Sequence, residues 1–392
     1  MDILEKCFAF NGVEETKARG AYFFFRGLDS PQGPEVTFDG RRMIMIGSNN
    51  YLGLTTHPRI KEAAINAIEK YGSGCAGSRF LNGNLVIHDE LEEKLAGFVR
   101  KEAAVVFATG YQANLGGISS LIGRNDLVII DQYDHASIID GARLSFGRLV
   151  KFRHNDMNDL ERILRKEADL AKLIIVDGVF SMEGDIINLP EVVELARKYG
   201  ARIFLDDAHA IGVLGKEGRG TEEHFGIEDG ADLVMGTFSK SLAAVGGFVA
   251  GPQKVVDWIK HFGRSQIFSA SLPPVLVAVV SACIDVIHDE PELRQTLWDN
   301  TRKMNEGFSE LGLDTGVSKT PVIPVIVKDP EKVYAMCRGL SDLGVFVNPV
   351  ISPAVPPGRE LLRTSYMATH TEEHLNKVLE AFGEVARATG VI

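Results

Sequence analysis

Residues 172–209 read KLIIVDGVFSMEGDIINLPEVVELARKYGARIFLDDAH. Two short β-branched runs, KLIIVD and RIFLD, each end in a carboxylate. Between them, LPEVVELARKYG spaces its apolar residues as a helix does and stops at a glycine. Strand, helix and strand in that order predict parallel strands joined by a right-handed crossover. The runs are apolar at successive positions, as strands covered on both faces require.

The same texture extends outward. AAVVFATG, DLVIID and DLVMGTFSK add further short strands, and HPRIKEAAINAIEKYG and HDELEEKLAGFV add helices, the second with Leu91, Leu95 and Phe98 on one face. The expected fold class is α/β: a three-layer α/β/α sandwich on a mainly parallel sheet, with a smaller C-terminal α+β domain. The expected divisions are an N-terminal arm with small strands over 1–45, a large α/β domain over 46–280 and the smaller domain over 281–392. Within the arm, VTFDGRRMIMIG predicts two strands turning at Asp39-Gly40.

Composition narrows the function classes. The chain has 392 residues, 45% hydrophobic and 24% charged, as an ordinary globular protein has. A net charge of −11 argues against a nucleic-acid surface. Four cysteines without CxxC spacing fit reduced thiols and offer no common zinc pattern, so no metal is expected. PPVLVAVVSACIDVI is broken by Asp285 and falls short of the about 20 apolar residues of a membrane span. With no signal-like start, a cytoplasmic location is expected.

Ligands of parallel α/β sheets gather at the carboxyl ends of the strands. Those ends read TGYQAN (109–114), DHAS (134–137), DGVFSMEGD (177–185), DDAHAIG (206–212) and TFSK (237–240). Thr109 starts a helix suited to a phosphate, although alone it reads as an ordinary cap. Asp206 ends an apolar strand and needs a donor or cation beside it. His135 and His209 are singly more typical of structural histidines, and Lys240 alone of a solvated loop. Together, a phosphate cradle, a buried carboxylate, a flat ring and an isolated lysine form the set that pyridoxal 5′-phosphate chemistry requires. Low local charge and partial burial would depress the Lys240 pKa. The non-enzyme alternative is a nucleotide- or phosphoprotein-binding α/β module.

SNNYLGL, GSGCAGSRFLNG, DHASIIDG, DGVFSMEGD, DDAHAIG, GTFSKSLAAVGGF and LLRTSYMATHT, in this order, resemble the α-oxoamine synthases over nearly the whole chain. These are fold-type I pyridoxal phosphate enzymes that condense an amino acid with an acyl-CoA and release CoA and CO2. The resemblance implies that Lys240 is the Schiff-base lysine, that His135 stacks on the cofactor ring and also holds the substrate carboxylate, and that Asp206 bonds the pyridine nitrogen. It places His209 by the phenolic oxygen, Gly110 and Tyr111 in the phosphate turn with Thr237 adding a hydroxyl, and Arg363 on the amino-acid carboxylate. Asn49 and Ser181 match supporting contacts. Ser269 and Ser271 in FSASLPP would reach the phosphate of a second subunit, since the implied assembly is a homodimer with shared sites.

YGSGCAGSRFLNG and FVNPVISPAVPP are most similar to the soluble bacterial branch that joins L-serine to palmitoyl-CoA, giving 3-oxosphinganine. Ala210 departs from that branch, which usually carries serine there. The alternatives are a sister synthase taking alanine or glycine with another acyl-CoA, and an aminotransferase on the same fold.

Overall fold

The computed structural model describes residues 2–392. Its centre is a seven-stranded sheet. The small hairpin that precedes it, β1 (Glu35–Phe38) and β2 (Arg41–Met45), turns through Asp39 and Gly40, both with positive φ as a two-residue hairpin turn demands. The central strands are β3 (Ala103–Phe107), β4 (Leu127–Asp131), β5 (Arg148–Phe152), β6 (Lys172–Asp177), β7 (Arg202–Asp206), β8 (Leu233–Thr237) and β9 (Gly247–Gly251). They lie in the order β3-β9-β8-β7-β6-β4-β5, and β9 alone runs antiparallel to its neighbours. The sheet is mainly parallel, as expected.

Period-two alternation divides these strands between two cores. Val105, Val128, Ile130, Ile175, Phe204, Met235 and Val249 share one cluster with residues of helices Gly110–Leu121, Ala136–Leu144 and Gln253–Phe262. Their neighbours point the other way. Val106, Phe248 and Ala250 pack with helices Pro58–Tyr71, Val86–Phe98 and Pro274–Asp289, and Ile129, Ile174, Val176 and Leu205 with Met157–Lys166 and Leu189–Tyr199. Burial on both sides explains why KLIIVD shows no polar alternation. It also yields the three layers.

β5 escaped the sequence pattern because it is an edge strand. RLVKF exposes Arg148 and Lys151 and buries only Phe152. Gly72 ends its helix at φ 75° and ψ −167°, a positive φ outside the left-handed helical region.

The remaining strands form two small sheets. β10 (Val322–Ile326), β12 (Asn348–Val350) and β13 (Leu361–Ser365) make one, with β13 central; β11 (Val345–Phe346) joins β2 in the other. The arm hairpin therefore shares a sheet with a strand from beyond residue 281. Helix Pro274–Asp289 runs unbroken across residues 280 and 281. Helices Pro291–Glu310, Pro330–Asp342 and Glu372–Ala388 cover the C-terminal core through Phe308, Met336, Leu340, Val378 and Phe382. No helix among the described residues is long and apolar enough to cross a membrane.

Candidate active site

All strands but β9 point their carboxyl ends to one edge of the sheet. Three neighbours there, β4, β6 and β7, end in Asp131, Asp177 and Asp206, all buried. A cavity of about 310 Å³ opens along this edge, lined by Gly110, Tyr111, Asn114, His135, Ser181, Asp206, His209, Thr237 and Lys240. Eight of the expected residues, drawn from five separate segments, therefore face one space, and Asn49, Ser269, Ser271 and Arg363 do not line it.

One end of the cavity suits a phosphate. The amides of Gly110 and Tyr111, at the start of a twelve-residue helix, donate to no protein acceptor among the described residues. Thr109 caps that helix through Gln112 N at 3.1 Å. A Cβ at Gly110 would lie 2.5 Å from Thr237 Oγ1, and one at Gly247 2.7 Å from Gly110 Cα. Only glycines let the helix end approach the β8–β9 junction so closely. Thr237 Oγ1 lies 3.0 Å from Ser239 Oγ, so two hydroxyls face the free amides across the cavity.

At the floor, Asp206 Oδ2 accepts from Asn114 Nδ2 at 2.7 Å, and its Oδ1 accepts from Ala208 N at 3.0 Å. Asn114 also donates to Ser137 Oγ at 2.8 Å. Ser137 in turn lies 2.7 Å from His135 Nδ1, which orients an imidazole whose face stays open to the cleft. Partial burial lowers the His135 pKa; Asp206 opposes this and Lys240 adds to it. Asn114, Ser137 and Tyr51 are functional neighbours that the sequence reading passed over. Nothing in the helical turn that holds Asn114 sets it apart, since Gln112 there is equally polar.

Lys240 lines this cavity and also a larger one of about 690 Å³, whose walls include Phe23, Arg26, Asn49, Val245 and Phe346. Burial lowers its pKa to about 8, with Asp206 and Asp177 pulling upward and Arg363 downward. His209 is buried, 2.7 Å from Tyr51 OH through Nδ1, and burial followed by the charges of Lys240 and Arg363 holds its pKa well below the usual value. Neutral His209 is the result at neutral pH.

Arg363, buried on β13, donates Nε to Ser181 O at 2.7 Å and Nη1 to Ser365 Oγ at 3.1 Å. Burial raises the Tyr51 phenol's pKa, while the charge of Arg363 and its hydrogen bond to that phenol draw it down, and Arg363 lines neither cavity. Asn49 sits in the larger cavity, with its Oδ1 3.4 Å from Tyr51 OH.

Ser269 and Ser271 do not line the cleft of their own chain. Ser269 Oγ accepts from Gln112 Nε2 at 2.8 Å, and Ser271 bonds Gly77 O through its amide and hydroxyl. The Ser271 bonds tie FSASLPP to GSGCAGS, and the Ser269 bond ties it to the helix that begins at Gly110. Ala210, the departure noted above, is fully buried in the apolar cluster behind the cleft and lines neither cavity.

Known proteins share this architecture. The family model described as aminotransferase class I and II matches residues 41–382. A serine palmitoyltransferase of Sphingobacterium spiritivorum is 52% identical over 377 residues, covering 96% of this chain and 94% of its own. An 8-amino-7-oxononanoate synthase of Thermoanaerobacter pseudethanolicus is 45% identical over 97% of both chains. A solved structure of serine palmitoyltransferase with PLP superposes over 100% of both chains, at TM-score 0.96 and 38% identity. The chain therefore belongs to the class I and II aminotransferase family, in its group of α-oxoamine synthases.

Proposed function

We propose that this enzyme joins L-serine to palmitoyl-CoA, releasing CoA and CO2 and giving 3-oxosphinganine, with pyridoxal 5′-phosphate in the smaller cavity. The observation that carries the reading is the 52% identity with a serine palmitoyltransferase across nearly both chains, joined to a cleft of matching chemistry. The fit is specific. Free amides at Gly110 and Tyr111 with the Thr237 and Ser239 hydroxyls suit a phosphate, and the Asp206 carboxylate suits a protonated ring nitrogen.

When bound, the cofactor supplies an electrophilic carbonyl and an electron-accepting ring. The protein's own groups do the rest. Asn114 fixes one Asp206 oxygen, leaving the carboxylate turned to the cavity. Ser137 sets the plane of His135, whose open face supports a flat ring. Lys240, with a pKa of about 8, has an appreciable neutral fraction and takes the α-proton of the amino acid at Nζ. Neutral His209, held by Tyr51, serves as hydrogen-bond partner without adding charge. Arg363 and His135 receive the amino-acid carboxylate, and Asn49 and Ser181 support that end. The larger cavity, with Phe23, Phe346 and Val245 on its walls, is the approach for the acyl-CoA, and Lys240 sits where the two cavities meet.

We read the working unit as a homodimer. Phe80, Leu81 and Phe268 expose apolar side chains, Leu81 by 79% and Phe268 by 74%, on the same two segments that Ser271 ties together. A second copy of the chain would cover them and bring Ser269 and Ser271 toward the neighbouring phosphate.

The test is a product assay. Serine, alanine, glycine and threonine are each paired with short and long acyl-CoAs, following CoA thiol release and the product by mass. Serine with palmitoyl-CoA should have the highest kcat/KM. A preference for alanine would assign the chain to a sister synthase, and a 2-oxo-acid-dependent half-reaction without CoA release would assign it to the aminotransferases.

A further inference from the structure

His154 lines neither cavity and takes no part in the reaction described above, yet its ring is bonded at both nitrogens. Nδ1 lies 3.0 Å from Asp131 Oδ1, and Nε2 lies 3.1 Å from Asp185 Oδ2. Both partners are carboxylates, so both nitrogens donate and the ring carries a charge. Burial alone lowers its pKa, but the bonds to Asp131 and Asp185 and their charges outweigh burial and raise it to about 9. Tyr133 lies across the ring at 4.6 Å and Phe180 meets it edge-on at 4.4 Å, which fixes its plane. Asp185 Oδ1 is buried with no donor among the described residues, and Oδ2 accepts from Asn155 Nδ2 at 3.4 Å beside His154, which is the one cation among the described residues bonded to that carboxylate.

The two carboxylates belong to different segments. Asp131 ends β4 and opens the turn that bears His135. Within that turn Asp134 accepts from the amides of Asp131 and Asp177, and Asp177 Oδ2 accepts from His135 N at 2.8 Å. Asp185 lies in loop 181–188, which Asn155 also grips through Ile186 O and Asn188 N. The same loop presents Ser181 O, the acceptor that aims Arg363. One chain of bonds therefore runs from His154 to His135, and another from His154 to Arg363.

We propose that His154 is a positioning residue: by holding Asp131 and Asp185 together it sets the separation of His135 and Arg363, and with it the seat of the amino-acid carboxylate. The inference rests on the reading of those two residues as amino-acid-binding groups. It assigns His154 to substrate placement ahead of cofactor anchoring, because neither chain of bonds passes through the phosphate cradle or Asp206, and the His135 ring keeps its own hold on Ser137.

The test uses the full chain loaded with pyridoxal phosphate and titrated with L-serine, following the visible spectrum. His154→Gln keeps a donor toward one carboxylate and turns an acceptor on the other. It should raise the serine Kd about tenfold, while cofactor affinity and the palmitoyl-CoA KM stay within about twofold. Adding Asp185→Asn supplies a donor to the misplaced oxygen and should bring the serine Kd back to within about threefold of the parent. Should His154→Gln not fold, Asp185→Ala removes the same link, with the same rise expected. A folded variant with unchanged serine Kd overturns the proposal, as does one that loses cofactor, serine and thermal stability in parallel. A parent enzyme that binds the cofactor but shows no response to serine overturns instead the functional reading above.

Discussion

Lys240 sits in a balance of opposing terms: burial and Arg363 push its proton off, while Asp206 and Asp177 hold it on. The result, about 8, has a kinetic consequence. The neutral amine forms above its pKa, so the rate at which the cofactor-free chain captures pyridoxal phosphate should climb with pH and level off above about 8. A solvated lysine would keep gaining to about 10.4. Stopped-flow absorbance checks this. Lys240→Ala should show no visible band that borohydride bleaches. Asn114 carries a second prediction, since it alone among side chains donates to Asp206. Asn114→Ala should weaken cofactor binding by about 1.5–3 kcal/mol, the range for a hydrogen bond to a charged group, as read by equilibrium dialysis. Arg363→Ala should leave the cofactor spectrum intact and weaken serine binding by about 2–5 kcal/mol, seen in the same titration. Lys240, His135, Asp206 and His209 could be singled out only as a set at the strand ends, and Arg363 only through the resemblance, because an arginine within a strand bears no sign of what it will bind. Asn114 and His154 could not be, because a polar side chain inside a helix or at a strand's end carries no mark of its partner.

The phosphate cradle belongs to elements. It exists because helix Gly110–Leu121 starts where β8 gives way to β9, and two glycines let backbone meet backbone. Gly247→Ala would place a methyl 2.7 Å from Gly110 Cα, which is backbone and cannot swing aside. The variant should lose about 1–3 kcal/mol of stability by overpacking and bind pyridoxal phosphate more weakly, by thermal melting and dialysis respectively. Free phosphate should stabilise the parent by binding the cradle and protect the variant less. Most elements were legible because a strand buried on both faces and a helix buried on one leave different periods in the sequence. β5 was not, since an edge strand with Arg148 and Lys151 outside has neither period in pure form. The reversed direction of β9 was equally hidden, because a five-residue apolar run reads the same in either direction.

At the scale of the whole molecule, the cleft joins parts far apart in the chain. Arg363 and Ser181 are 182 residues apart, and His209 and Tyr51 are 158 apart. The arm hairpin pairs with β11, which passes through Val347 into β12 of the separate sheet that carries Arg363. If the unit is a pair of chains sharing sites, sedimentation should give twice the chain mass. Phe268→Asp, which charges an exposed apolar position one residue from Ser269, should shift the protein toward single chains and loosen the cofactor. What the sequence by itself determined is local: the α/β alternation, the Asp39-Gly40 turn, and strand ends rich in reactive groups. Each depends on residues within a few positions of one another, and backbone geometry turns such spacing directly into structure. Only the tertiary structure decided the strand order, the meeting of Lys240 with two cavities, and the bridge from His154 to both His135 and Arg363. Those depend on long-range packing and on charges compensated across segments, and no contiguous run of residues records which distant side chain will balance a buried one.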